Sequence, residues 1–273
     1  MDADLHFHPS FSSSPTWLER KIPRIEDIAE AAMDNNIGLL TVTSCSNAVH
    51  RDKRWEDLMI QIWDLKNQDM VILSSKAIKV SKKVKHPYER DVVIIHGQEF
   101  KTDRGDVNVL FAERDIPLRE SLSQFPKADF RYLLDAARNY GEHVVIGLNE
   151  VMRSSLSDKE IRDLYERGKI DFIESFNSME TWKNNFDSDM LAARLNIPGI
   201  AVSDGHRLED MGASYTIFKS NDLREDPAAM AEAIRNNNFY PVERSCSLQS
   251  MALYAARLGN AIAGGQIKKI LKR

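Results

Sequence analysis

The sequence predicts an α/β barrel, a parallel sheet wrapped by helices with its functional groups at the strand ends. Three observations predict it. Short β-like runs alternate with helical patterns almost from end to end, which is the mark of βα units around a parallel sheet. A length of 273 residues suits one barrel domain, and no Pro/Gly/Ser-rich linker divides the chain. Three of the apolar runs also finish in histidine, aspartate or glutamate, and strand ends of a barrel converge on one mouth.

The expected strands are Ala3–His8, Gly38–Thr43, Met70–Leu73, Val92–Gly97, Val107–Phe111, His143–Leu148, Phe172–Ser175, Gly199–Ser203 and Ser214–Phe218. Between them lie stretches with apolar residues three and four apart, the helical period. Ile25, Ile28, Ala29, Ala32 and Met33 share one face. Trp55, Leu58, Met59 and Ile62 share another, as do Phe130, Leu133, Leu134 and Ala137, with Gly141 as the expected C-cap. Ser157-Asp158-Lys159-Glu160 is a capping-box pattern closed by Gly168, and Asp226-Pro227 opens a further helix with proline at its first position. The basic stretch Lys76–Arg90 reads as a solvated insertion, with an anionic-substrate patch as the alternative. From about 245 to 273 a small-apolar and then basic segment reads as a helical tail on a single domain covering 1–273.

Composition narrows the function. Apolar residues at 42% and charged residues at 29% are globular values. No apolar stretch approaches the length of a membrane span, and the N-terminus lacks a secretory pattern. A net charge of −4 argues against a nucleic-acid coat, and two cysteines, Cys45 and Cys246, are too few for a disulfide framework. A reducing cytoplasm is the expected compartment.

The chemistry-bearing residues fall in three groups. In Asp4-Leu5-His6-Phe7-His8, strand alternation would place Asp4, His6 and His8 on one face. Two imidazoles so spaced can grip one metal ion, with an aspartate behind to orient a ring. Ser203-Asp204-Gly205-His206 follows the apolar run Gly199-Ile-Ala-Val, and Gly97-Gln98-Glu99 ends the run Val92-Val-Ile-Ile. His50, His86, His96 and His143 have no partner at ligand spacing, and His96 is expected to face away from Glu99.

The set D-L-H-x-H, G-x-E and S-D-x-H, in this order and spacing, resembles the PHP (polymerase and histidinol phosphatase) superfamily of metal-dependent phosphoesterases. The resemblance runs from Asp4 to about Thr216, and Phe172-Ile-Glu-Ser-Phe-Asn177 looks like that family's penultimate I-E-x-x-N strand. It implies a distorted seven-stranded (β/α)7 TIM-like barrel. It also implies one to three divalent ions (Zn, Mn or Fe) and a water, activated by metal, that attacks a small phosphorylated substrate. Nucleotides, sugar phosphates and oligonucleotide ends all fit that class; the charge pattern gives no sign of broader nucleic-acid or membrane binding.

By the same resemblance, His6, His8, Glu99 and Asp204 would hold one metal. Glu99 and Asp106 would serve a second, and His206 a third, with Cys45 as a thiolate replacement for a family histidine. Glu99 would bridge, Asp4 would orient a ligand, and a His206 not taken as a ligand would protonate the leaving oxygen. Arg207, Arg153 and Lys101 are the candidate phosphate contacts. The chain departs from the family where T-D-H becomes Thr43-Ser44-Cys45 and A-H-P becomes Gly147-Leu148-Asn149. Two alternatives follow: a PHP-like binding or regulatory module without catalysis, and an amidohydrolase-type C–N hydrolase, for which Asn149 and Asn177 stand where histidines belong.

Overall fold

The structure, a computed structural model, describes residues 1–8, 23, 25–46, 70–74, 77–82, 90–110, 129–139, 144–219, 223 and 229–245. Its strands are β1 (Asp2–Phe7), β2 (Leu39–Ser46), β3 (Met70–Ser74), β4 (Ala77–Lys82), β5 (Arg90–Lys101), β6 (Asp106–Leu110), β7 (Val145–Asn149), β8 (Phe172–Asn177), β9 (Gly199–Val202), β10 (Tyr215–Phe218) and β11 (Phe239–Val242). Its helices are α1 (Ile25–Asp34), α2 (Phe130–Arg138), α3 (Asp158–Glu166), α4 (Trp182–Leu195) and α5 (Ala229–Arg235). The expected helix over Trp55–Ile62, the Gly141 cap, the Asp226-Pro227 helix start, the tail beyond 245 and the side chains of His50, His86 and His143 lie outside the described residues.

The helices form where the apolar period predicts. α1 buries Ile25, Ile28, Ala29, Ala32 and Met33, the face read from the sequence. α2 buries Phe130, Leu133, Leu134 and Ala137; Asp129 caps its first turn by accepting from the Tyr132 amide at 2.8 Å. α3 has the full capping box, with Ser157 and Glu160 each bonding the other's backbone amide. Each fully buried large apolar side chain contributes about 1.5–3 kcal/mol.

The sheet runs β11-β10-β1-β2-β5-β6-β7-β8-β9, with the β3–β4 hairpin added on β5. It nearly closes into a barrel. Beyond the last residue of β9, the Asp204 amide donates to the His6 carbonyl and the His8 amide to the Gly205 carbonyl, both at 2.8 Å. Phe7 and Gly205 form a parallel bridge there. The ring is mixed, which corrects the expectation of parallel βα units throughout. β6 is antiparallel to both β5 and β7 because Thr102–Gly105 leaves only four residues between β5 and β6, too few for a parallel crossover. β10 is antiparallel to β1 and β11. The basic stretch read as an insertion contains β4, which pairs with β5 from Ala77–Ile95 to Lys82–Arg90.

Inside the barrel, Leu5, Leu39, Val93, Ile95, Leu110, Val145, Phe172, Ile200 and Val202 form one apolar cluster. Two further clusters fill the space between sheet and helices. Phe172 spreads its ring where a Cβ at Gly147 would come within 2.1 Å, so glycine there makes room for the plug. Above this plug the interior turns polar: Thr41, Thr43, Asn108, Asn149 and Glu174 are all buried. The apolar floor sets the depth at which the polar groups meet.

Candidate metal centre

Two β-bulges aim the site. Along the β1–β2 pair, the four residues from Asp4 to Phe7 oppose the three from Leu40 to Val42. An extra residue of this kind reverses alternation. Leu5 therefore joins the barrel interior while Phe7 packs outside, and His6 and His8 turn inward beyond the bulge. On β8, the register slips between Glu174 and Phe176, so Glu174 and Asn177 share a face despite their odd separation.

His6, His8 and Asp204 form one compact group, their ligand atoms all within 4.8 Å of one another. His6 Nε2 and His8 Nε2 are 2.9 Å apart. Asp204 Oδ1 lies 3.4 Å from His8 Nε2 and 3.7 Å from His6 Nε2, and Glu99 Oε2 lies 3.7 Å from His8 Nε2. Nitrogen and oxygen ligands of a tetrahedral zinc, at about 2.0–2.1 Å, stand about 3.4 Å apart. His6, His8 and Asp204 thus have the spacing of one coordination shell, with Glu99 at its edge beside His8.

The protonation pattern makes the same point. His6 Nδ1 donates to Glu174 Oε1 at 2.6 Å, and His8 Nδ1 donates to the Thr43 carbonyl at 2.9 Å. The Thr43 carbonyl has no proton to give and Glu174 has none when ionised, although burial raises its carboxyl above the usual range against the pull of His6. With both as acceptors, each neutral ring keeps its lone pair on Nε2. Two lone pairs facing at 2.9 Å require a cation between them, either a proton or a metal. In the metal-free chain it is a proton. Burial opposes charge on His6, but Glu174 and Asp204 outweigh it and hold the imidazole well above its usual range. Burial likewise opposes charge on Asp204 and Glu99, yet the imidazoles beside them keep both carboxyls below the usual range.

His206 stands beside this group, its ring 4.7 Å from that of His8. Its Nδ1 donates to the Asp204 carbonyl at 2.8 Å, which leaves Nε2 as an acceptor. Burial and the neighbouring His8 push its pKa down to about 4, so at neutral pH it offers a lone pair, not a proton. This geometry suits a ligand or base and works against the expected acid.

Asp4 is a correction. The bulge takes it off the histidine face, and its carboxylate accepts from the backbone amides of Ser203 at 3.1 Å, Gly212 at 3.0 Å and His6 at 3.4 Å. It ties β1 to the loop after β9 and does not orient a ring; burial raises its pKa to about 6. Asp106 lies at the start of β6, in register with Lys101 and Asn149 and outside the compact group. Cys45 is in backbone register with Glu99, and its side chain lies outside the described residues.

Of the expected phosphate contacts, the two arginines are engaged by carboxylates, while the charge of Lys101 acts on Glu99. Arg207 pairs with Glu209 at 2.9 Å. Arg153 binds both Glu150 oxygens at 2.9 Å and also reaches Glu180, and Lys101 is exposed.

Sequence reasoning assigned no role to Glu174, Asn177, Asn108 or Glu150. Asn177 Nδ2 donates to Asp204 Oδ2 at 3.1 Å and to Glu174 Oε2 at 3.3 Å; Asn108 Nδ2 donates to Glu174 Oε1 at 3.0 Å. Glu150 has a left-handed backbone (φ 40°), and its carboxyl is pushed up to about 8 by burial and then by Asp204. The I-E-x-x-N strand was the available signal for Glu174 and Asn177, hidden by the bulge.

Comparison with known proteins agrees with this architecture. Residues 182–239, from α4 to the first residue of β11, match the PHP-associated family. The fold is PHP-like. PsfC from Pseudomonas syringae superposes with a TM-score of 0.60 at 15% identity, over 96% of this chain and 98% of that one. A two-domain protein containing a predicted PHP-like metal-dependent phosphoesterase, from Bacteroides vulgatus, gives 0.56 at 16% identity, over 89% of this chain and 65% of that one. The lesion-specific endonuclease EndoQ of Pyrococcus furiosus gives 0.54 at 18% identity, over 86% of this chain. The chain spans 56% of the length of that endonuclease. No curated protein sequence matches the chain. Among the described residues, no helix is long and apolar enough to cross a membrane.

Proposed function

We propose that the chain is a metal-dependent hydrolase of phosphoesters, built as a single PHP-like barrel that takes a small phosphorylated substrate at its mouth. The observation that carries this reading is the His6–His8 pair: two Nε2 atoms 2.9 Å apart, both Nδ1 donors spent, and two carboxylates within 3.7 Å of His8 Nε2. His6, His8, Asp204 and Glu99 would hold the ion. Bound there, a divalent ion would polarise a phosphoryl oxygen and lower the pKa of a water.

The chain's own residues do the rest. Glu99 and Asp204 keep the site anionic at neutral pH and so favour a cation. His206 Nε2 is placed to take a proton or to add a ligand. Arg153 presents a guanidinium beside Glu150 and Glu180, and exchange of those carboxylates for a phosphate would bring it to the substrate.

A second reading, a PHP-like binding module without turnover, is favoured by Asn149. This residue is 1% exposed, neither amide atom has a hydrogen-bond partner, and it ends the strand in which the resemblance expects A-H-P and this chain, reading Gly147-Leu148-Asn149, has no histidine. Hydrolysis of bis(p-nitrophenyl) phosphate and p-nitrophenyl phosphate in Mn²⁺ or Zn²⁺ decides between them. Turnover that disappears in His8→Ala and Asp204→Ala supports the hydrolase. Metal binding with no turnover of a broad phosphoester panel supports the module.

A further inference from the structure

Glu174 is 2% exposed and sits at the foot of the polar layer, behind His6 and below the mouth. Burial raises its carboxyl above the usual range while His6 beside it pulls the other way, so its ionised form depends on the partners of its oxygens. Oε1 accepts from His6 Nδ1 at 2.6 Å and Asn108 Nδ2 at 3.0 Å, and Oε2 accepts from Asn177 Nδ2 at 3.3 Å. Asn177 cannot turn its amide round freely, because its Oδ1 accepts from the Met179 amide at 2.9 Å and its Nδ2 also donates to Asp204 Oδ2 at 3.1 Å. Its backbone is clamped in turn by the Asn185 side chain, which both accepts from its amide and donates to its carbonyl at 2.9 Å.

We infer that Glu174 is a positioning residue that fixes His6 as the Nδ1–H tautomer and so aims the Nε2 lone pair at the metal, with Asn177 locking Asp204 to the same frame. This rests on the metal-site reading above. The tautomer of a ligand histidine is set by the bond its other nitrogen makes, and carboxylate partners of this kind orient the ring and raise its basicity. One buried group thereby couples three strands: β1 through His6, β6 through Asn108, and β8 through its own backbone. Asn177 extends the coupling to the loop after β9.

The geometry also says what Glu174→Gln would do. With the amide oxygen facing His6, the new NH2 opposes Asn177 Nδ2, donor against donor. With the NH2 facing His6 instead, Nδ1 must become an acceptor and the proton moves to Nε2, where it blocks the metal. Neither arrangement keeps the whole frame. The expected result is a loss of about 10- to 100-fold in zinc affinity, the range seen when such outer partners are removed.

The test uses Zn²⁺ itself, by chelator competition on wild type and Glu174→Gln, together with imidazole N–H resonances of the ¹⁵N-histidine-labelled, zinc-loaded chain. The inference expects a far-downfield His6 Nδ1–H in wild type, lost or moved upfield in the variant, and the weaker zinc binding. Zinc-loaded wild type with no proton on His6 Nδ1 would overturn it, and this reading needs no variant to fold. Unchanged affinity and resonance in Glu174→Gln would overturn it while leaving the metal site intact. Failure of the wild type to bind zinc would overturn both.

Discussion

On the metal-site reading, metal and proton would compete for one lone pair, and that competition would set how the site responds to pH. In the metal-free chain His6 is cationic: burial opposes its charge, yet Glu174 at 2.6 Å and Asp204 at 3.7 Å raise its pKa well above 6.5. With Nδ1 donating to Glu174, the second proton of the imidazolium would sit on Nε2, on the 2.9 Å line to His8 that a metal would interrupt. Binding an ion must therefore expel that proton. Asp204 and Glu99 are held below the usual carboxylate range, so they are already ionised near neutrality and release none. One proton per ion makes affinity fall tenfold, about 1.4 kcal/mol, for each pH unit below the folded pKa of His6. Above that pKa the dependence should flatten. Calorimetric titration with Zn²⁺ in two buffers of different ionisation enthalpy counts the proton directly. About one proton released, with a tenfold weaker Kd on going down one pH unit, is the expected result. Zero protons and a flat Kd over the same range would refute the assignment of His6 as ligand.

Three further outcomes follow from the same geometry. Because the folded pKa of His6 is raised, its contribution to stability is fully present below its unfolded pKa and is lost as pH rises through the folded value. The metal-free Tm should fall over that window, and bound Zn²⁺ should restore it. Asp4→Asn would turn an NH2 toward the amide of Gly212 or of Ser203, so urea denaturation should show a loss of about 1–3 kcal/mol with zinc affinity unchanged; the reverse pattern would return Asp4 to the site. Gly147→Ala would drive a Cβ to within 2.1 Å of the Phe172 ring, and a loss of at least about 1–3 kcal/mol is expected in the same assay; a neutral result would mean that the barrel plug is not packed as described.

The sequence was most legible where local rules govern. The buried faces of α1 and α2 and the capping box of α3 follow from spacing alone, because nothing distant competes with them. The histidine pair, Asp204 and Glu99 were also legible as strand-end residues, and their convergence needs only that the ring nearly closes. Departures came where backbone irregularity or strand direction decides. A bulge in β1 sends Asp4 to Ser203 and Gly212, and alternation carries no sign of it. The slip in β8 hides the partnership of Glu174 with Asn177. The reversal of β6 was readable, since four residues between Lys101 and Asp106 permit a hairpin and no crossover. β4 was masked by its lysines, and β11 by Pro241, which an edge strand at the end of the sheet order tolerates.

The most direct test of the metal centre is the metal content of purified protein after metal-supplemented expression and dialysis. With nitrogen and oxygen ligands preformed at coordination spacing, about one tightly held divalent ion per chain is expected in wild type and nearly none in His8→Ala. Less than about a tenth of an ion per wild-type chain, or equal content in a folded His8→Ala, would contradict a site built on His6, His8 and Asp204.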